Sequence, residues 1–585
     1  MFRFLSVCGK QVLTIKRWYM IENKLIDILW KKILPNVPVE IVPLLGQLLF
    51  IKSWGRFDEA VKDPERFQRE KIREYLDKNK NTEFGKKYDF CSIKTAEEYR
   101  ERVPLQTYDS LEPFIEKMKN GEKDILTAEE VIFFGRTSGT TGASKFIPVT
   151  RSFLAEYKLP RRAWMRQVIN DMPSLIYGRL LTIHSPKIEG RTKGGIPYGS
   201  ITVAMGADNL GLTIARGFHE IPMEIFFIDD FEAKYYYILR FALEMEISVI
   251  AAINPSTILL FVKKLTQYAE SLSSDLDRGD IRPDFKVDSI LRRRLLKLLK
   301  PNPEMAQKII SSYKKHGYVK PVEIWDRLCG LMCWKGGFGH YYISQFEPYF
   351  DNLPIMDYGY AATEGNFAIP ISTKRDDNVL IPHGHFLEFI SEKDNKPYFM
   401  WELKPQERYR VVITAANGLY RYDINDIIEV TDYFHRTPCV RFLHKGGNAV
   451  SITGEKVTES HIIKVLSNLT TQFGLSLNGF TVAVRMEENP HYILALETQG
   501  TLSEEQKKSI IDEFDNLLKK ANIEYDAKRK SQRLDKPELV ILKTGFFERY
   551  RANQIAKGAP DAHLKPPHLT SKDEILNLLL SEKES

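Results

Sequence analysis

Short apolar runs alternate with longer amphipathic segments between residue 131 and about residue 433. The apolar runs have the length of buried strands, and the segments between them have the length and periodicity of helices. Such an alternation predicts a layered α/β domain. The predicted helices are 235–245, 256–272 and 306–315. The predicted strands are 131–134, 180–184, 225–229, 249–253, 331–334 and 354–357.

The pattern changes after residue 432, where strand-like runs surround a helical segment at 503–520. This arrangement predicts a separate, small α+β domain. Its predicted strands are 480–485, 492–497 and 538–542. At the other end of the chain, residues 57–100 are charged and helical, and Asp63 followed by Pro64 predicts a helix start.

A chain of 585 residues is too long for one compact core. We predict three parts, which are an N-terminal helical extension (1–56), a large domain (57–433) and a small C-terminal cap domain (434–585). The longest apolar stretch, 42–51, is about half the length that spans a bilayer. Residues 1–55 carry tryptophans and lysines and could lie on a membrane surface. A helical hairpin packed on the main body is the favoured interpretation. No signal peptide is predicted.

The composition excludes few functions, but it narrows the class of molecule that the protein is predicted to bind. The formal net charge of +7 comes from 84 basic and 77 acidic side chains, and no basic tail with interleaved aromatics occurs. No nucleic-acid partner is therefore predicted. The five cysteines are scattered, and no second Cys/His pair follows Cys329 and Cys333 at ligand spacing. Free thiols fit a reducing compartment, so the predicted location is cytoplasmic.

A loop of hydroxyls and glycines, residues 137–145, follows the predicted strand 131–134 and ends in a lysine. Glycines let the backbone approach a ligand closely, and successive N–H groups form an anion-binding concavity. A lysine adds a movable positive charge. The composition therefore suits a polyphosphate, although the Walker A spacing cannot be fitted to it. A polar surface loop is the alternative.

Two further clusters carry groups that suit a nucleotide. After the predicted strand 354–357, Tyr360 offers an aromatic face, Thr363 a hydroxyl for a phosphate, and Glu364 a carboxylate for Mg²⁺. Asp426 ends a later strand, where a carboxylate can accept hydrogen bonds from ribose hydroxyls. Taken singly, each cluster is also explained by a core tyrosine with a capped turn or by an ordinary strand end.

In this order, the three clusters resemble the motifs of the auxin-responsive acyl-acid amido synthetase family, a branch of the adenylate-forming superfamily of acyl-CoA synthetases and luciferases. The resemblance extends from about residue 57 to 570. It implies a large, multi-layer adenylate-forming N-terminal domain with a smaller α+β C-terminal domain. It also implies ATP, Mg²⁺, a small carboxylic acid and an amine. The other matching segments are NTEFG (81–85), TKGGIPYG (192–199), NPS (254–256), WKGG (334–337) and GEK (454–456).

The resemblance implies a role for each matched residue. Tyr360 would stack on the base, Thr363 would contact the α-phosphate, and Asp426 would bind the ribose hydroxyls. Lys565, in the small domain, would reach the reacting carboxylate and phosphate, although a surface lysine before a Pro-Pro loop is the alternative. Lys565, Lys145 and Glu364 are the predicted catalytic residues, with Glu364 holding Mg²⁺. The residues implied to bind the ATP phosphates are Thr137, Ser138, Gly139, Thr140, Thr141, Gly142 and Lys145, and those implied to line the adenine edge are Gly336 and Gly337.

Three positions depart from the family pattern. Asn425 occupies the place where the family usually has glycine before the ribose-binding aspartate. Asparagine tolerates a left-handed backbone, so the turn is predicted to survive. Asp423 replaces the arginine of plant members, and Thr137 replaces a serine but keeps the hydroxyl.

The predicted reaction has two half-reactions, formation of an acyl-adenylate and transfer of the acyl group to an amine, with an amino acid as the expected acceptor. An acyl-CoA ligase that forms a thioester is the first alternative. Residues 443–451 lack the Arg-x-Asp-x-x-Ile-Lys signature of such enzymes, which favours an amide product. The second alternative is a nucleotide-binding or membrane-docked protein that has lost its catalytic activity. The joint presence of Glu364, Asp426 and Lys565 argues against this alternative. The sequence does not identify the acid or the base that deprotonates the amine.

Overall fold

The structure, a computed structural model, describes residues 36–136, 145–183, 188–201, 221–336, 339–446, 449–450, 452, 455, 457–487, 490–530, 534–557 and 567–584. Within these ranges the α-helices are Val42–Leu49, Ile51–Lys62, Pro64–Asn79, Glu83–Lys87, Ala96–Arg102, Tyr108–Lys119, Arg151–Asp171, Phe231–Ala242, Pro255–Gln267, Ala269–Arg278, Ser289–Leu296, Pro303–His316, Pro321–Ile324, Gly339–Ile343, Glu347–Phe350, Glu459–Phe473, Glu504–Ala521, Ile523–Lys530, Phe546–Ala556 and Asp573–Ser581. The 3₁₀ helices are Val39–Ile41, Pro173–Tyr177, Met223–Phe227 and Met400–Glu402.

The strands of the same ranges are β1 Phe133–Arg136, β2 Phe146–Val149, β3 Arg179–Thr182, β4 Ile188–Arg191, β5 Pro197–Gly199, β6 Ile247–Ala251, β7 Gly330–Cys333, β8 Ile355–Asp357, β9 Tyr360–Ala362, β10 Gly365–Ile369, β11 Asn378–Leu380, β12 Phe386–Ser391, β13 Pro397–Phe399, β14 Arg408–Thr414, β15 Tyr422–Phe434, β16 Thr437–Lys445, β17 Ala449–Val450, β18 Val457–Thr458, β19 Leu477–Arg485, β20 His491–Thr498, β21 Glu538–Ile541 and β22 Leu569–Thr570.

A four-stranded parallel sheet, in the order β3-β6-β7-β8, forms the centre of one layer. Its strands are short apolar runs, as expected for a parallel sheet that is covered on both faces. One face packs on helices that include Phe231–Ala242 and Pro255–Gln267. The other face packs on helix Arg151–Asp171, through Trp164 and Val168. Because β7 and β8 are parallel, their carboxyl ends lie at the same edge of the sheet. Ligands bind at this edge in open α/β sheets.

An eight-stranded antiparallel sheet, in the order β13-β12-β14-β15-β16-β11-β10-β9, lies on the far side of helix Arg151–Asp171. A smaller mixed sheet, β2-β1-β5-β4, adjoins it. Asp63 accepts a hydrogen bond from the backbone N–H of Arg66, so helix Pro64–Asn79 begins where the sequence predicts. The prediction of a layered α/β architecture is confirmed.

A separate four-stranded sheet, β21-β20-β19-β22, forms the smaller α+β part of the chain. Helices Glu459–Phe473 and Glu504–Ala521 cover one face, and helices Phe546–Ala556 and Asp573–Ser581 cover the other. The small part contacts the large one at helix Pro255–Gln267, where Lys264 pairs with Glu548 at 2.5 Å. The prediction of a small C-terminal α+β part is confirmed.

The predicted division after residue 433 falls inside a continuous strand pair. β15 and β16 pair from Asp426 opposite Lys445 to Phe434 opposite Thr437, and both belong to the eight-stranded sheet. A boundary at 433 would cut this ladder. The division of the chain into domains stays a prediction, and the observed pairing favours a position after Lys445.

Two local predictions were wrong. Residues 225–229, predicted as a strand, belong largely to the 3₁₀ helix Met223–Phe227, which follows Pro222 and still buries Ile225 and Phe226. The apolar run was read as a strand because burial alone does not distinguish the two structures. The predicted helix 256–272 is divided at Tyr268 into Pro255–Gln267 and Ala269–Arg278.

The described part of the N-terminal extension packs on the main body. Val42 is buried, and Val37 and Trp54 are half-buried, against the core that contains Trp164. The outer face of helix Val42–Leu49 exposes apolar side chains, and Leu49 is 76% exposed. None of the described helices has the length and apolar character that crossing a bilayer requires. Membrane contact through residues 1–55 is not tested and stays an unfavoured alternative.

Candidate active site

The strand that enters the predicted phosphate loop lies directly against the turn that carries Thr363 and Glu364. A Cβ atom on Gly135, in β1, would lie 2.5 Å from Cγ2 of Thr363. Only glycine leaves room for this approach. The strand that precedes the first cluster therefore contacts the second cluster. Thr137, Ser138, Gly139, Thr140, Thr141 and Gly142 lie outside the described residues, as do Gly337 and Lys565.

Lys145 begins the return strand of the same loop. Its Nζ lies 5.5 Å from the ring centroid of Tyr108. The Tyr108 hydroxyl in turn accepts a hydrogen bond of 3.0 Å from the backbone N–H of Phe146. This contact holds the start of β2 and positions the lysine beside the loop, where the sequence predicts a phosphate contact.

Glu364 occupies the turn between β9 and β10 and is only 6% exposed. Throughout the described part of the chain, no hydrogen bond or ion pair to its carboxylate is found. Asn366 fixes the hairpin behind it, because its backbone N–H donates to His385 Nε2 at 3.3 Å and its Nδ2 donates to the carbonyl of Tyr157 at 3.1 Å. A buried carboxylate without a protein partner is costly.

The surroundings of Glu364 fit a Mg²⁺ ion that is held mainly by a substrate. Mg²⁺ commonly takes one or two carboxylates from the protein and the rest of its oxygens from phosphates and water. Among the residues that the structure describes, no cluster of three or more His, Cys, Asp or Glu side chains could hold a metal by itself. The unpaired carboxylate of Glu364, next to Thr363, would be the protein's carboxylate ligand to such an ion.

Tyr360 and Asp426, from the second and third clusters, are hydrogen-bonded to each other. The Tyr360 hydroxyl donates to Asp426 Oδ2 at 2.8 Å, and both side chains are nearly buried. Burial and, after it, the Asp426 charge raise the pKa of Tyr360, so the hydroxyl keeps its proton and donates it to the carboxylate. The second and third clusters therefore meet at this hydrogen bond.

A row of aromatic rings connects the predicted adenine edge to Tyr360. Trp334 and Phe442 have ring centroids 5.3 Å apart, and Phe442 and Tyr360 are 5.5 Å apart. Gly336 lies against this row, since a Cβ there would be 2.9 Å from Trp334 Nε1. Tyr360 also stacks on Phe367 at 4.6 Å and is only 3% exposed. A base that stacks on Tyr360 therefore has to displace one of its neighbours.

Asp357, which the sequence did not single out, joins the carboxyl ends of β7 and β8. Its Oδ1 accepts the backbone N–H of Lys335 at 3.0 Å, and its Oδ2 accepts Asn378 Nδ2 at 3.0 Å. Burial raises the pKa of Asp357. The carboxylate fixes the segment that leads into Gly336. A carboxylate at the end of an apolar strand was the available signal.

The departure at Asn425 has the predicted outcome. Asn425 has a φ of +58°, and its side chain donates to the carbonyl of Gly446. The left-handed turn before Asp426 is thus kept without glycine, as predicted. Asp423, the other departure, forms an ion pair with Arg410 Nε at 2.8 Å.

Family models match nearly all of this architecture. The GH3 family N-terminal domain matches residues 54–355, the GH3 family central domain residues 378–445, and the GH3 family C-terminal domain residues 460–574. The chain belongs to the GH3 family. This membership confirms the predicted relationship to acyl-acid amido synthetases.

Curated relatives of this GH3 chain are named as amido synthetases. Jasmonoyl--L-amino acid synthetase JAR4 of Nicotiana attenuata is 24% identical over 539 residues, which cover 87% of this chain and 92% of that protein. Indole-3-acetic acid-amido synthetase GH3.4 of Arabidopsis thaliana is 24% identical over 561 residues, with 90% and 93% covered. These names agree with the predicted ATP-dependent formation of an acyl-adenylate and then an amide.

A solved structure shares the GH3 fold over most of its length. The AtGH3.15 acyl acid amido synthetase in complex with 2,4-DB superimposes with a TM-score of 0.79 at 19% identity, covering 91% of this chain and 96% of that chain. At this identity the match shows the fold, and it confirms the predicted α/β architecture with a large N-terminal part and a smaller C-terminal part.

Replacing Gly135 by alanine is expected to lower ATP affinity about 10-fold, because the new methyl group meets Thr363 and pushes the hairpin away from the phosphate loop. Isothermal titration with ATP measures the change. Gly55→Ala is the matched control, since a Cβ there meets nothing within 4 Å. In its helix the control is expected to be neutral or to stabilise the protein by up to about 1 kcal/mol. Equal ATP affinity in both variants would contradict the interpretation of the Gly135–Thr363 contact.

Proposed function

We propose that the chain joins a small carboxylic acid to an amine, with an amino acid as the favoured acceptor, and converts ATP to AMP and pyrophosphate. In the first half-reaction a carboxylate oxygen attacks the α-phosphorus of ATP, and pyrophosphate leaves. In the second, the amine attacks the acyl carbon, the bond to the AMP oxygen breaks, and the amine proton passes to a base. A carboxylate is a poor electrophile, so the activation step is required.

The observation that carries this proposal is that the strand before the predicted phosphate loop, the Tyr360–Glu364 cluster and Asp426 are in contact with one another. Gly135 brings the strand before the phosphate loop against Thr363. The hydrogen bond between Tyr360 and Asp426 brings the second cluster to the third. In the proposed role, residues 137–142 and Lys145 bind the phosphates, Gly336 and Gly337 border the adenine, and Asp426 binds the ribose.

The proposed catalytic contribution is charge neutralisation rather than covalent chemistry. Glu364 would hold Mg²⁺, which supplies positive charge to the phosphate oxygens. Lys145 and Lys565 would bring further positive charge to the leaving pyrophosphate and the reacting carboxylate. Lys565 belongs to the small domain, so its role requires that this domain close over the large one.

For the domain division we propose a large domain from residue 57 to Lys445 and a small domain that begins before Val457. The supporting observation is the β15–β16 ladder, which continues the eight-stranded sheet to Lys445. We also propose a cytoplasmic location. The cysteines that the structure describes, Cys91, Cys329, Cys333 and Cys439, are all free thiols, as expected in a reducing compartment.

Exchange of labelled pyrophosphate into ATP, measured across a panel of carboxylic acids, tests the first half-reaction. Exchange that depends on the acid is expected, and mass spectrometry after addition of amino acids should find an amide. Detection of a thioester with CoA would mean that CoA, rather than an amine, is the acceptor. The absence of exchange with every acid of a broad panel would contradict the proposal. Thermal stabilisation by acids in the presence of ATP narrows the panel beforehand.

A further inference from the structure

We propose that Arg161 binds a second acidic group of the acyl acid, remote from the carboxylate that reacts, so that the preferred substrates are dicarboxylic acids. This inference rests on the proposed function and adds the class of acid to it. Its basis is the position and the surroundings of one guanidinium group.

Arg161 lies on the side of helix Arg151–Asp171 that faces the candidate active site. One turn before it, the Tyr157 hydroxyl donates to the carbonyl of Ala362 at 3.1 Å. Almost one turn after it, Trp164 Nε1 donates to the carbonyl of Asp357 at 2.9 Å. Residues spaced in this way share one helix face. Arg161 is thereby held between two anchors to the segment that carries Thr363 and Glu364.

Aromatic rings surround the guanidinium group on this face. Its central carbon lies 5.8 Å from the ring centroid of Tyr157, 6.0 Å from that of Trp164 and 5.9 Å from that of Tyr358. Rings at these distances attract a cation. An aromatic face replaces neither a carboxylate nor a carbonyl as a hydrogen-bond acceptor, so the rings leave Nε without one.

The Nε atom of Arg161 is buried and has no hydrogen-bond partner. In the residues that the structure describes, no carboxylate forms an ion pair with this arginine. A buried donor without an acceptor costs free energy, and a buried charge without a counterion costs more. An anionic ligand group would satisfy both requirements at once, since a guanidinium binds a carboxylate through two parallel hydrogen bonds.

Arg161 differs in this respect from the other arginines that bury an unsatisfied nitrogen. Three of those pair with a carboxylate through another nitrogen of the side chain, and Arg410 pairs with one through Nε. The pairs are Arg100 with Glu388 at 3.2 Å, Arg240 with Glu244 at 2.5 Å, Arg292 with Asp280 at 3.6 Å and Arg410 with Asp423 at 2.8 Å. Within the described chain, Arg161 is the member of this group whose counterion is missing.

We assign the missing counterion of Arg161 to a second acidic group of the acid rather than to the carboxylate that reacts. That carboxylate must reach the α-phosphorus with a free lone pair. A bidentate pair with a guanidinium would occupy its oxygens and lower their nucleophilicity. A dicarboxylic acid can satisfy Arg161 with one end and react with the other, whereas a monocarboxylic acid leaves the buried Nε of Arg161 without an acceptor.

Pyrophosphate exchange with matched acid pairs tests this inference. Each pair has the same skeleton with one or two carboxylates, such as benzoate with isophthalate and hexanoate with adipate. The wild-type protein is expected to prefer the dicarboxylic member by about 100-fold in kcat/KM, because the monocarboxylic analogue leaves the guanidinium of Arg161 without an ionic partner and its buried Nε without an acceptor. Arg161→Leu should reduce this preference to less than about 3-fold while the KM for ATP stays within about 3-fold. Arg161→Lys should keep part of the preference.

Arg162→Leu is the matched control, because Arg162 is the next residue of the same helix and is exposed. It should leave the preference unchanged. A preference that persists in Arg161→Leu would overturn the inference. So would an equal loss of activity with both members of each pair, which would assign Arg161 to the reacting carboxylate. Should Arg161→Leu fail to fold, Arg161→Gln, which keeps polar bulk without charge, is measured in its place.

A binding experiment separates failure of this inference from failure of the proposed function. Dicarboxylic acids should raise the melting temperature of the wild-type protein, and they should not raise that of Arg161→Leu. If no acid supports exchange, the proposed function fails, while the difference in melting temperature still decides whether Arg161 binds the second acidic group. Equal stabilisation of both proteins would overturn the inference whatever the exchange result.

Discussion

Replacing Asp426 by alanine is expected to weaken ATP binding by about 100-fold, because hydrogen bonds to a charged acceptor contribute about 1.5–3 kcal/mol each. The ribose would lose its carboxylate partner. The Tyr360 hydroxyl would also lose the acceptor that it now has at 2.8 Å. A buried donor left in this way costs about 1–3 kcal/mol of folding stability. Isothermal titration with ATP and chemical unfolding measure the two effects separately.

Two further variants separate the ribose from the tyrosine. Asp426→Asn keeps one oxygen that can accept the Tyr360 hydrogen bond but removes the charge, so stability should recover more than ATP affinity. Tyr360→Phe removes the hydroxyl and leaves the ring on Phe367 and Phe442. It should change ATP affinity much less than Asp426→Ala. Unchanged nucleotide affinity in Asp426→Ala would mean that the ribose assignment is wrong.

Parts of the fold with strong local patterns could be predicted from the sequence. The four strands of the parallel sheet could be predicted because they are short apolar runs between long amphipathic helices, and both faces of the sheet are buried. The long hairpin β15–β16 was not recognised as a continuation of the large sheet. Its strands mix buried and exposed positions over 13 and 9 residues, and its pairing with β14 and β11 depends on distant segments.

The residues of the candidate site likewise fall into two groups, those that the sequence indicates and those that are recognised only from their contacts. Thr363, Glu364 and Asp426 stand in clusters whose residue types indicate chemistry, so sequence alone pointed to them. Gly135 and Phe442 were missed because their roles arise from contacts with residues far away in the chain. Nothing near Gly135 in the sequence reveals that Thr363 will lie 2.5 Å from its missing Cβ. Arg161 was missed for the same reason, since its three ring neighbours include Tyr358 from another element.

Replacing Glu364 by glutamine is expected to lower the rate of adenylate formation by about 100-fold or more, because the metal-held charge on the phosphates would be lost. The same change should raise the stability of the protein. Glu364 is nearly buried and has no hydrogen bond or ion pair to any described residue, so its charge is desolvated without compensation. Removing that charge should stabilise the fold by about 1 kcal/mol. Pyrophosphate exchange at several Mg²⁺ concentrations and chemical unfolding give the two results.

Glu388 is the matched control, because it is equally buried but fully paired. It accepts Arg421 Nε at 2.9 Å and Arg100 Nε at 3.2 Å. Glu388→Gln should therefore destabilise the protein by about 3 kcal/mol, since it leaves two guanidinium groups without their charge partner. Opposite signs of the change in unfolding free energy in the two variants distinguish a carboxylate that binds a metal from one that stabilises the fold. A Glu364→Gln protein that retains full activity, or that loses stability as Glu388→Gln does, would contradict the assignment of Glu364 to the metal.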